Sequence, residues 1–215
     1  MNFSKRIIEW QNLYGRNNLP WQTNDPYKVW VSEIMLQQTQ VSTVIPFYEN
    51  FIKSFPDVLT LSKANLDEVL NHWAGLGFYR RARNLHQTAK IITDKYHQVF
   101  PDNYEDLVTL PGIGESTAGA ILSLAFNKKG TILDGNVKRI LRRFYNISYE
   151  NNSRTEKILW EKSLFVTPSV KTSQFIQGMM DVGSLVCTRS KPNCSQCPLR
   201  ELNCLYTQNL SLIHI

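Results

Sequence analysis

The spacing of apolar residues is the feature that most limits how this chain can fold. Apolar residues recur three and four positions apart along most of the sequence, as in Phe3, Ile7 and Trp10, and sustained two-residue alternation is absent. Proline and glycine divide these runs into segments of ordinary helix length, for example at Gly15 and Pro56. The sequence therefore predicts an all-α fold of about nine or ten helices joined by short loops.

Composition excludes several classes of protein. The 215 residues are 42% hydrophobic and 20% charged, which is typical of a folded globular chain. No stretch approaches the roughly 18 consecutive apolar residues of a membrane span, and the N-terminus lacks the apolar core of a signal peptide. We therefore expect a soluble, cytoplasmic protein. An excess of 24 Lys and Arg over 18 Asp and Glu, a net charge of +6, favours a polyanionic partner.

A glycine-rich turn, Leu110-Pro111-Gly112-Ile113-Gly114, precedes a run of small residues. Two glycines two positions apart allow a tight turn and a close approach to another chain. The helix that follows has free N–H groups at its start, which can bind a nucleic-acid phosphate without a charged side chain. A lone Gly-x-Gly would indicate a plain connection between helices, but the order Leu-Pro-Gly-Ile-Gly resembles the helix-hairpin-helix element of DNA repair proteins.

Glu33 lies in a segment, residues 27–40, that we expect to form one helix. Its neighbours on the same helix face include Val29, Trp30 and Leu36, so its carboxyl is expected to be partly desolvated. Burial without a cation raises the pKa of a carboxyl toward neutrality, as a general acid requires. A Glu on the wet side of a helix is the commoner case, and the apolar neighbours weaken that alternative.

Asp134 follows two apolar residues and precedes a helix expected to begin near Asn136. It is either a simple helix cap or a carboxylate held in a semi-buried turn for chemistry. The next helix places four cations on what is expected to be a single basic face suited to phosphates: Lys138, Arg139, Arg142 and Arg143. A solvated surface is the alternative.

All four cysteines fall in one short segment, as Cys187-x6-Cys194-x2-Cys197-x6-Cys204. Four thiolates so close in sequence can hold a tetrahedral zinc or a [4Fe-4S] cluster. Structural zinc sites usually pair cysteines two to four residues apart on both sides. Only one pair is that close here, which favours the cluster.

Together these motifs resemble, in chain order, the adenine DNA glycosylase (MutY type) branch of the endonuclease III superfamily. The resemblance covers the chain to about residue 206 and is carried by segments 19–21, 26–41, 73–79, 110–120, 133–139, 179–183 and 187–192. It implies a six-helix lobe with the hairpin, residues 18–130, and a lobe with a [4Fe-4S] cluster, residues 1–17 and 131–206. It further implies a monomer that holds double-stranded DNA between the lobes.

The reaction implied by the resemblance is hydrolysis of the bond between deoxyribose and an adenine mispaired with 8-oxoguanine or guanine. Glu33 would protonate the adenine, Asp134 would stabilise the positive sugar, and Asn136 would orient Asp134. Trp21 and Gln177 would line the pocket for the flipped base, while Gln38 and Phe78 would probe the base stack. The remaining DNA contacts are expected from Gln37, Gly112, Gly114 and Lys138.

The chain departs from the resembled family in three places. Phe78 stands where many relatives have Tyr, and six residues rather than five separate Cys197 from Cys204. Relatives continue with a C-terminal domain that reads 8-oxoguanine, so we expect a C-terminally truncated chain with a non-family tail at 207–215. Residues 210–215 match the translation of a transposase mosaic end, CTGTCTCTTATACACATC, and are expected to be a sequencing-adapter scar.

Two alternatives remain open at this point. An endonuclease III type glycosylase and lyase acts on oxidised pyrimidines through a lysine just after the hairpin, and Ser116 occupies that place in the catalytic site here. A truncated, catalytically weak DNA-binding module is the second alternative, against which the presence of both Glu33 and Asp134 argues.

Overall fold

The computed structural model describes residues 2–207, and among these every regular element is helical. The all-α prediction is therefore confirmed. The described residues contain eleven α-helices rather than nine or ten, because the short helices at 58–63 and 104–107 are each started by a capping side chain, Asp57 or Asn103. The predicted six-residue tail at 210–215 lies outside the described residues.

In chain order the helices are α1 (Phe3–Tyr14), α2 (Pro26–Leu36), α3 (Val41–Ser54), α4 (Val58–Lys63), α5 (Leu66–Trp73), α6 (Arg80–Lys95), α7 (Tyr104–Leu107), α8 (Glu115–Leu124), α9 (Gly135–Tyr145), α10 (Ser153–Val166) and α11 (Thr172–Asp181). A π-helical turn, Val182–Val186, and two 3₁₀ turns, Cys194–Gln196 and Arg200–Leu202, follow α11. None of the described helices is long and apolar enough to cross a membrane.

The described residues divide into two compact units. The central unit comprises residues 18–126 and contains α2 to α8, and the terminal unit comprises residues 2–17 and 127–207. The boundary thus falls after Phe126, whereas the sequence analysis placed it after residue 130. The assignment of the two lobes stays a prediction.

The core of the central unit is built around large aromatic side chains. Trp30, Phe51, Phe55 and Trp73 are fully buried, and the Phe51 ring meets the Phe55 ring at 4.8 Å. The Tyr27 hydroxyl donates to the Phe55 carbonyl at 2.6 Å, which satisfies its one polar group inside the core. Around this core α2 packs on α3, α6 and α8, and α4 packs on α6.

Helix α2 is shorter than expected. It ends at Leu36 rather than near residue 40, and Gln38 takes a left-handed backbone conformation with φ of 59°. The carbonyls of Ile34, Met35 and Gln37 accept hydrogen bonds from one buried guanidinium, that of Arg81. A tertiary contact thus ends a helix that local sequence would have continued.

The terminal unit packs α1 closely against α11. Gly178 makes this approach possible, because a Cβ at this position would lie 2.7 Å from the Ile7 side chain. Asp181, at the end of α11, is fully buried and accepts hydrogen bonds from the Arg16 backbone N–H and from Arg16 Nε, each at 2.8 Å. This buried ion pair ties the segment after α1 to α11.

We expect Arg16→Ala to destabilise the protein by about 3 kcal/mol, because it leaves the Asp181 carboxylate buried without its cation. Urea unfolding at neutral pH measures the change. Lys5→Ala is the control: Lys5 is exposed and pairs only with Glu9 on the surface of α1, so its loss should cost less than about 0.5 kcal/mol. Equal losses of stability in the two variants would contradict a stabilising ion pair between Arg16 and Asp181.

Candidate active site

The glycine turn of the hairpin is anchored from both sides. Gly112 has a φ of +81°, and a Cβ there would lie 2.9 Å from the Asn84 Cβ, so only glycine fits without strain. The turn is held by the Thr88 hydroxyl, which donates to the Pro111 carbonyl at 2.9 Å, and by the buried side chain of Ile113. The surrounding core therefore fixes the backbone of this loop.

Gly114 caps the start of α8 without a side chain to accept from its N–H groups. A Cβ at Gly114 would meet nothing within 4 Å, so its backbone faces open space. An uncapped helix start of this kind is suited to an anion such as a phosphate. Ser116, in the first turn of α8, is half-buried and engaged in an interaction.

Glu33 lies on α2, which Asp25 starts by accepting from the Tyr27 and Lys28 amides. Its side chain is half-buried, whereas Val29 and Trp30, one turn before it, are buried. The carboxyl is engaged in an interaction in this structure. Glu33 therefore lies beside apolar neighbours on α2, as the sequence predicted.

Asp134 caps α9 and is half-buried. Its carboxylate accepts from the Val137 amide at 2.8 Å and from Asn136 Nδ2 at 3.3 Å. Burial raises the pKa of Asp134, while these two hydrogen bonds and the nearby Arg139 charge favour the ionised form. Capping and semi-burial, posed as alternatives from the sequence, occur together.

The expected single basic face on α9 is wrong for two of its four residues. Arg139 donates to the carbonyls of Gly183 and Cys187, and Arg143 donates to the carbonyls of Thr188 and Arg189. Both guanidiniums therefore hold the backbone of the cysteine segment, because its carbonyl groups need hydrogen-bond donors.

The other two cations of that face also have protein partners. Lys138 pairs with Glu156 at 2.7 Å, and Arg142 donates to the Asn151 side chain at 3.1 Å. Contact of Lys138 with DNA stays a prediction, and it requires that Lys138 leave or share this carboxylate.

The four cysteines line one cavity of the terminal unit together with Arg143. They are free thiols, and Arg143 donates to the Cys187 sulfur at 3.3 Å. Burial and the neighbouring thiols raise the pKa of Cys197 to about 12. Within the described part of the chain no three metal-ligating side chains come close enough to hold a single ion. Four cysteine sulfurs around one cavity are suited to ligate iron or zinc, and a bound metal would supply the positive charge that lets the thiols ionise.

The remaining residues expected at the site lie in different settings. Gln38 and Phe78 are both exposed, with Phe78 at 57%, and both have positive φ. Trp21 is buried in the central core, where its ring meets that of Tyr48 at 5.3 Å. Gln177 is half-buried and donates to Asp181, and Gln37 donates to Thr117 on α8.

The structure brings Asp134, Asn136 and Arg139 together in the terminal unit, and Gln37, Gln38 and Phe78 around one groove of the central unit. Glu33 belongs to the central unit and Asp134 to the terminal unit.

Sequence reasoning missed Arg81. This arginine is 8% exposed and lies on the face of α6 that also carries the buried Ala82, Leu85 and Ala89. An arginine on an apolar helix face is the signal that would have identified it, since charged residues are seldom buried without partners.

Residues 31–163 match the family described as HhH-GPD superfamily base excision DNA repair protein, and residues 187–202 match the iron-sulfur binding domain of endonuclease III. The second match makes the cysteine segment an iron-sulfur binding segment.

Two curated relatives are named adenine DNA glycosylase. The one from Buchnera aphidicola subsp. Baizongia pistaciae is 51% identical over 208 residues, which are 96% of this chain and 59% of the relative. The one from Buchnera aphidicola subsp. Schizaphis graminum is 49% identical over 199 residues, 92% of this chain and 57% of the relative. The chain thus spans less than two thirds of the length of these relatives.

A solved structure with a similar fold is that of a thermostable thymine-DNA glycosylase. It superimposes with a TM-score of 0.86 at 31% sequence identity and covers 96% of this chain and 95% of its own.

We expect Asp134→Asn to stabilise the protein at neutral pH, because the amide can still cap α9 and has no charge to desolvate. Since burial raises the pKa of Asp134 above its ordinary value of 3.8, the parent carries the full cost of ionisation above the raised pKa. The gain should be full at high pH, shrink as the pH falls through the raised pKa, and vanish below the ordinary value.

Urea unfolding of parent and variant at about pH 7 and about pH 4 tests this linkage. The exposed Asp67, at the start of α5, provides the control Asp67→Asn, which should show no such gain at either pH. A variant less stable than the parent at neutral pH would show that ionised Asp134 is a net stabilising group.

Proposed function

Because this chain belongs to the HhH-GPD superfamily of base excision DNA repair proteins, we propose that it is a monofunctional adenine DNA glycosylase. Its reaction is hydrolysis of the N-glycosidic bond of adenine mispaired with 8-oxoguanine or guanine in double-stranded DNA. The observation that carries the proposal is the half-buried Asp134 carboxylate, held by two hydrogen bonds at the start of α9. The names of the two relatives at 49% and 51% identity support adenine as the base.

The chemistry divides between two carboxyl groups. Glu33, beside apolar neighbours on α2, donates a proton to the adenine ring as the bond between the sugar carbon and the base nitrogen breaks. The electron pair of that bond leaves with the adenine, and the sugar becomes positively charged. Asp134 stabilises this cation until water adds to the sugar carbon and gives up a proton, which restores the Glu33 carboxylate to its acid form. Asn136 keeps the Asp134 carboxylate oriented.

Access to that bond requires the adenine to leave the base stack. Phe78 and Gln38 are exposed on the central unit and are suited to enter the space that the base vacates. The backbone N–H groups at Gly112 and Gly114 bind a phosphate, with further contacts from Gln37 and Lys138.

The cysteine segment holds a [4Fe-4S] cluster in this proposal, with Cys187, Cys194, Cys197 and Cys204 as ligands. The cluster organises the segment when bound and takes no part in the steps above. Arg139 and Arg143 already fix the backbone of the segment, and the Arg143 charge lowers the pKa of Cys194 against the opposing effect of burial, which raises it. The protein acts as a monomer. As a DNA-repair enzyme it works on the chromosome in the bacterial cytoplasm.

Two other substrate classes, thymine and oxidised pyrimidines, are less well supported. Thymine is one alternative base, because the solved thymine-DNA glycosylase is 31% identical to this chain. The curated relatives named adenine DNA glycosylase are more similar, at 49% and 51% identity, and therefore favour adenine. Endonuclease III type chemistry on oxidised pyrimidines requires an amine nucleophile after the hairpin. Ser116 supplies a hydroxyl there, which cannot form a Schiff base with the sugar.

We expect Glu33→Gln to abolish adenine release without loss of DNA binding, because the amide keeps the shape of the side chain and loses the transferable proton. Single-turnover release of adenine opposite 8-oxoguanine should fall by about 10² to 10⁴. Glu68→Gln, an exposed residue of α5, is the matched control and should react like the parent. A Glu33→Gln rate within a few-fold of the parent would remove Glu33 from the mechanism.

We expect the purified protein to be brown and to hold about four irons per chain, as a [4Fe-4S] cluster requires. Iron and zinc analysis with a visible spectrum measures this. Cys194→Ser should lose the colour, whereas Ser195→Ala, the next residue in the chain, should retain it. A colourless parent with one zinc per chain would contradict the cluster assignment.

A further inference from the structure

One guanidinium in the central unit binds two separate turns. Arg81 Nη1 donates to the carbonyls of Ile34, Met35 and Gln37 at 2.7 to 2.9 Å. Its Nη2 donates to the Thr39 hydroxyl at 3.1 Å, and to two carbonyls of the turn before α6, those of Leu76 at 3.2 Å and Gly77 at 3.3 Å. The two nitrogens therefore join the end of α2 to the turn at residues 76–78.

Two of the carbonyls that Arg81 binds belong to peptide groups that precede residues with positive φ. The Gln37 carbonyl belongs to the peptide group that precedes Gln38, and the Gly77 carbonyl to the one that precedes Phe78. Gln38 and Phe78 have φ of 59° and 48°, a left-handed conformation that non-glycine residues adopt only when their surroundings impose it. Arg81 thus holds the peptide group next to each strained residue.

The two strained residues project from a buried support. Gln38 and Phe78 are exposed and line one groove together with Gln37 and Arg81. The guanidinium carbon of Arg81 lies 5.4 Å from the centre of the Phe78 ring and 5.3 Å from that of the buried Trp73 ring. Trp73 Nε1 also donates to the Gly77 carbonyl, at 3.0 Å. The base of the Phe78 turn is therefore fixed, while its side chain is free to contact a ligand.

We propose that Arg81 is a positioning residue that holds the Gln38 and Phe78 turns in one fixed relation, so that both side chains enter the DNA base stack as a single wedge. This inference rests on the proposed function, since it takes base-stacked DNA as the ligand of the groove. Arginine is required because its planar fork directs Nη1 to the end of α2, while Nη2 reaches both Thr39 and the turn at residues 76–78. The single ammonium of a lysine is a point charge that can hold one turn at most.

Arg81→Lys tests the proposal while it keeps the charge. The probe is a duplex with 8-oxoguanine opposite a 2′-fluoro-deoxyadenosine, which resists cleavage because fluorine disfavours a positive sugar, and with 2-aminopurine beside that adenosine. Insertion of the wedge unstacks the 2-aminopurine and raises its fluorescence. The parent should show this rise, and Arg81→Lys should lose most of it while its affinity for the duplex stays within about threefold, because phosphate contacts dominate affinity.

The control is Arg154→Lys, the same change at an exposed position at the start of α10. It should show the parental fluorescence rise. With the cleavable adenine duplex, the single-turnover rate of Arg81→Lys should fall by about 10², as expected when reacting groups are misplaced by about 1 Å. Its pH profile should keep the parental shape, because the proton donor is unchanged.

A double-mutant cycle tests whether the two side chains act as one unit. In the parent, the effects of Gln38→Ala and Phe78→Ala on the fluorescence rise should be non-additive, since removal of either spoils the wedge. In the Arg81→Lys background the two effects should become independent. Persistence of the full coupling with lysine at position 81, or a parental fluorescence rise, would overturn the proposal.

A second variant keeps the proposal testable if Arg81→Lys fails to fold, as judged by circular dichroism. Thr39→Val removes one acceptor of Arg81 and leaves the guanidinium in place, and it should lower the fluorescence rise in part, by about threefold. An unchanged rise would then overturn the proposal. A parent protein that neither unstacks this duplex nor releases adenine would instead refute the proposed function, and with it the ligand assigned to the groove.

Discussion

The hydrogen bond from the Val137 amide to the Asp134 carboxylate, at 2.8 Å, is the contact on which the candidate site depends. It starts α9 and at the same time fixes the direction of the carboxyl group. From the same helix Asn136 contacts that carboxylate, and Arg139 donates to Asn136 at 2.7 Å and to the Cys187 carbonyl at 2.7 Å. The position of the carboxylate and that of the iron-sulfur binding segment are therefore set by one helix. Burial of this cap carries a cost, because it opposes the negative charge of the carboxylate.

Buried and half-buried arginines organise both units. Arg81 joins two turns of the central unit, Arg16 neutralises the buried Asp181 of the terminal unit, and Arg139 and Arg143 hold the cysteine segment. These cations contribute to the net charge of +6 without lying free on the surface. The uncapped N–H groups at the start of α8 are suited to an anion without any side-chain charge.

The sequence predicted structural features correctly where they depend on residues that are neighbours in the chain. Helical spacing predicted the all-α fold, Asp134 before Gly135 predicted a cap, and Gly112 stands where the backbone has positive φ. It was insufficient where the reason is a contact between distant residues. The end of α2 at Leu36 depends on Arg81, more than forty positions away, and the inward turn of Arg139 and Arg143 depends on carbonyls of the cysteine segment. Periodicity places a cation on a helix face but does not show what packs against that face.

Single-turnover reaction of the parent protein with a panel of duplexes tests the central claim most directly. The panel contains adenine opposite 8-oxoguanine, adenine opposite guanine, thymine opposite guanine, and thymine glycol, and each released base is identified by mass spectrometry. The account predicts that free adenine is released from the first two duplexes, with no borohydride-trapped adduct and no release of thymine or thymine glycol. Release of thymine or thymine glycol without adenine would contradict it.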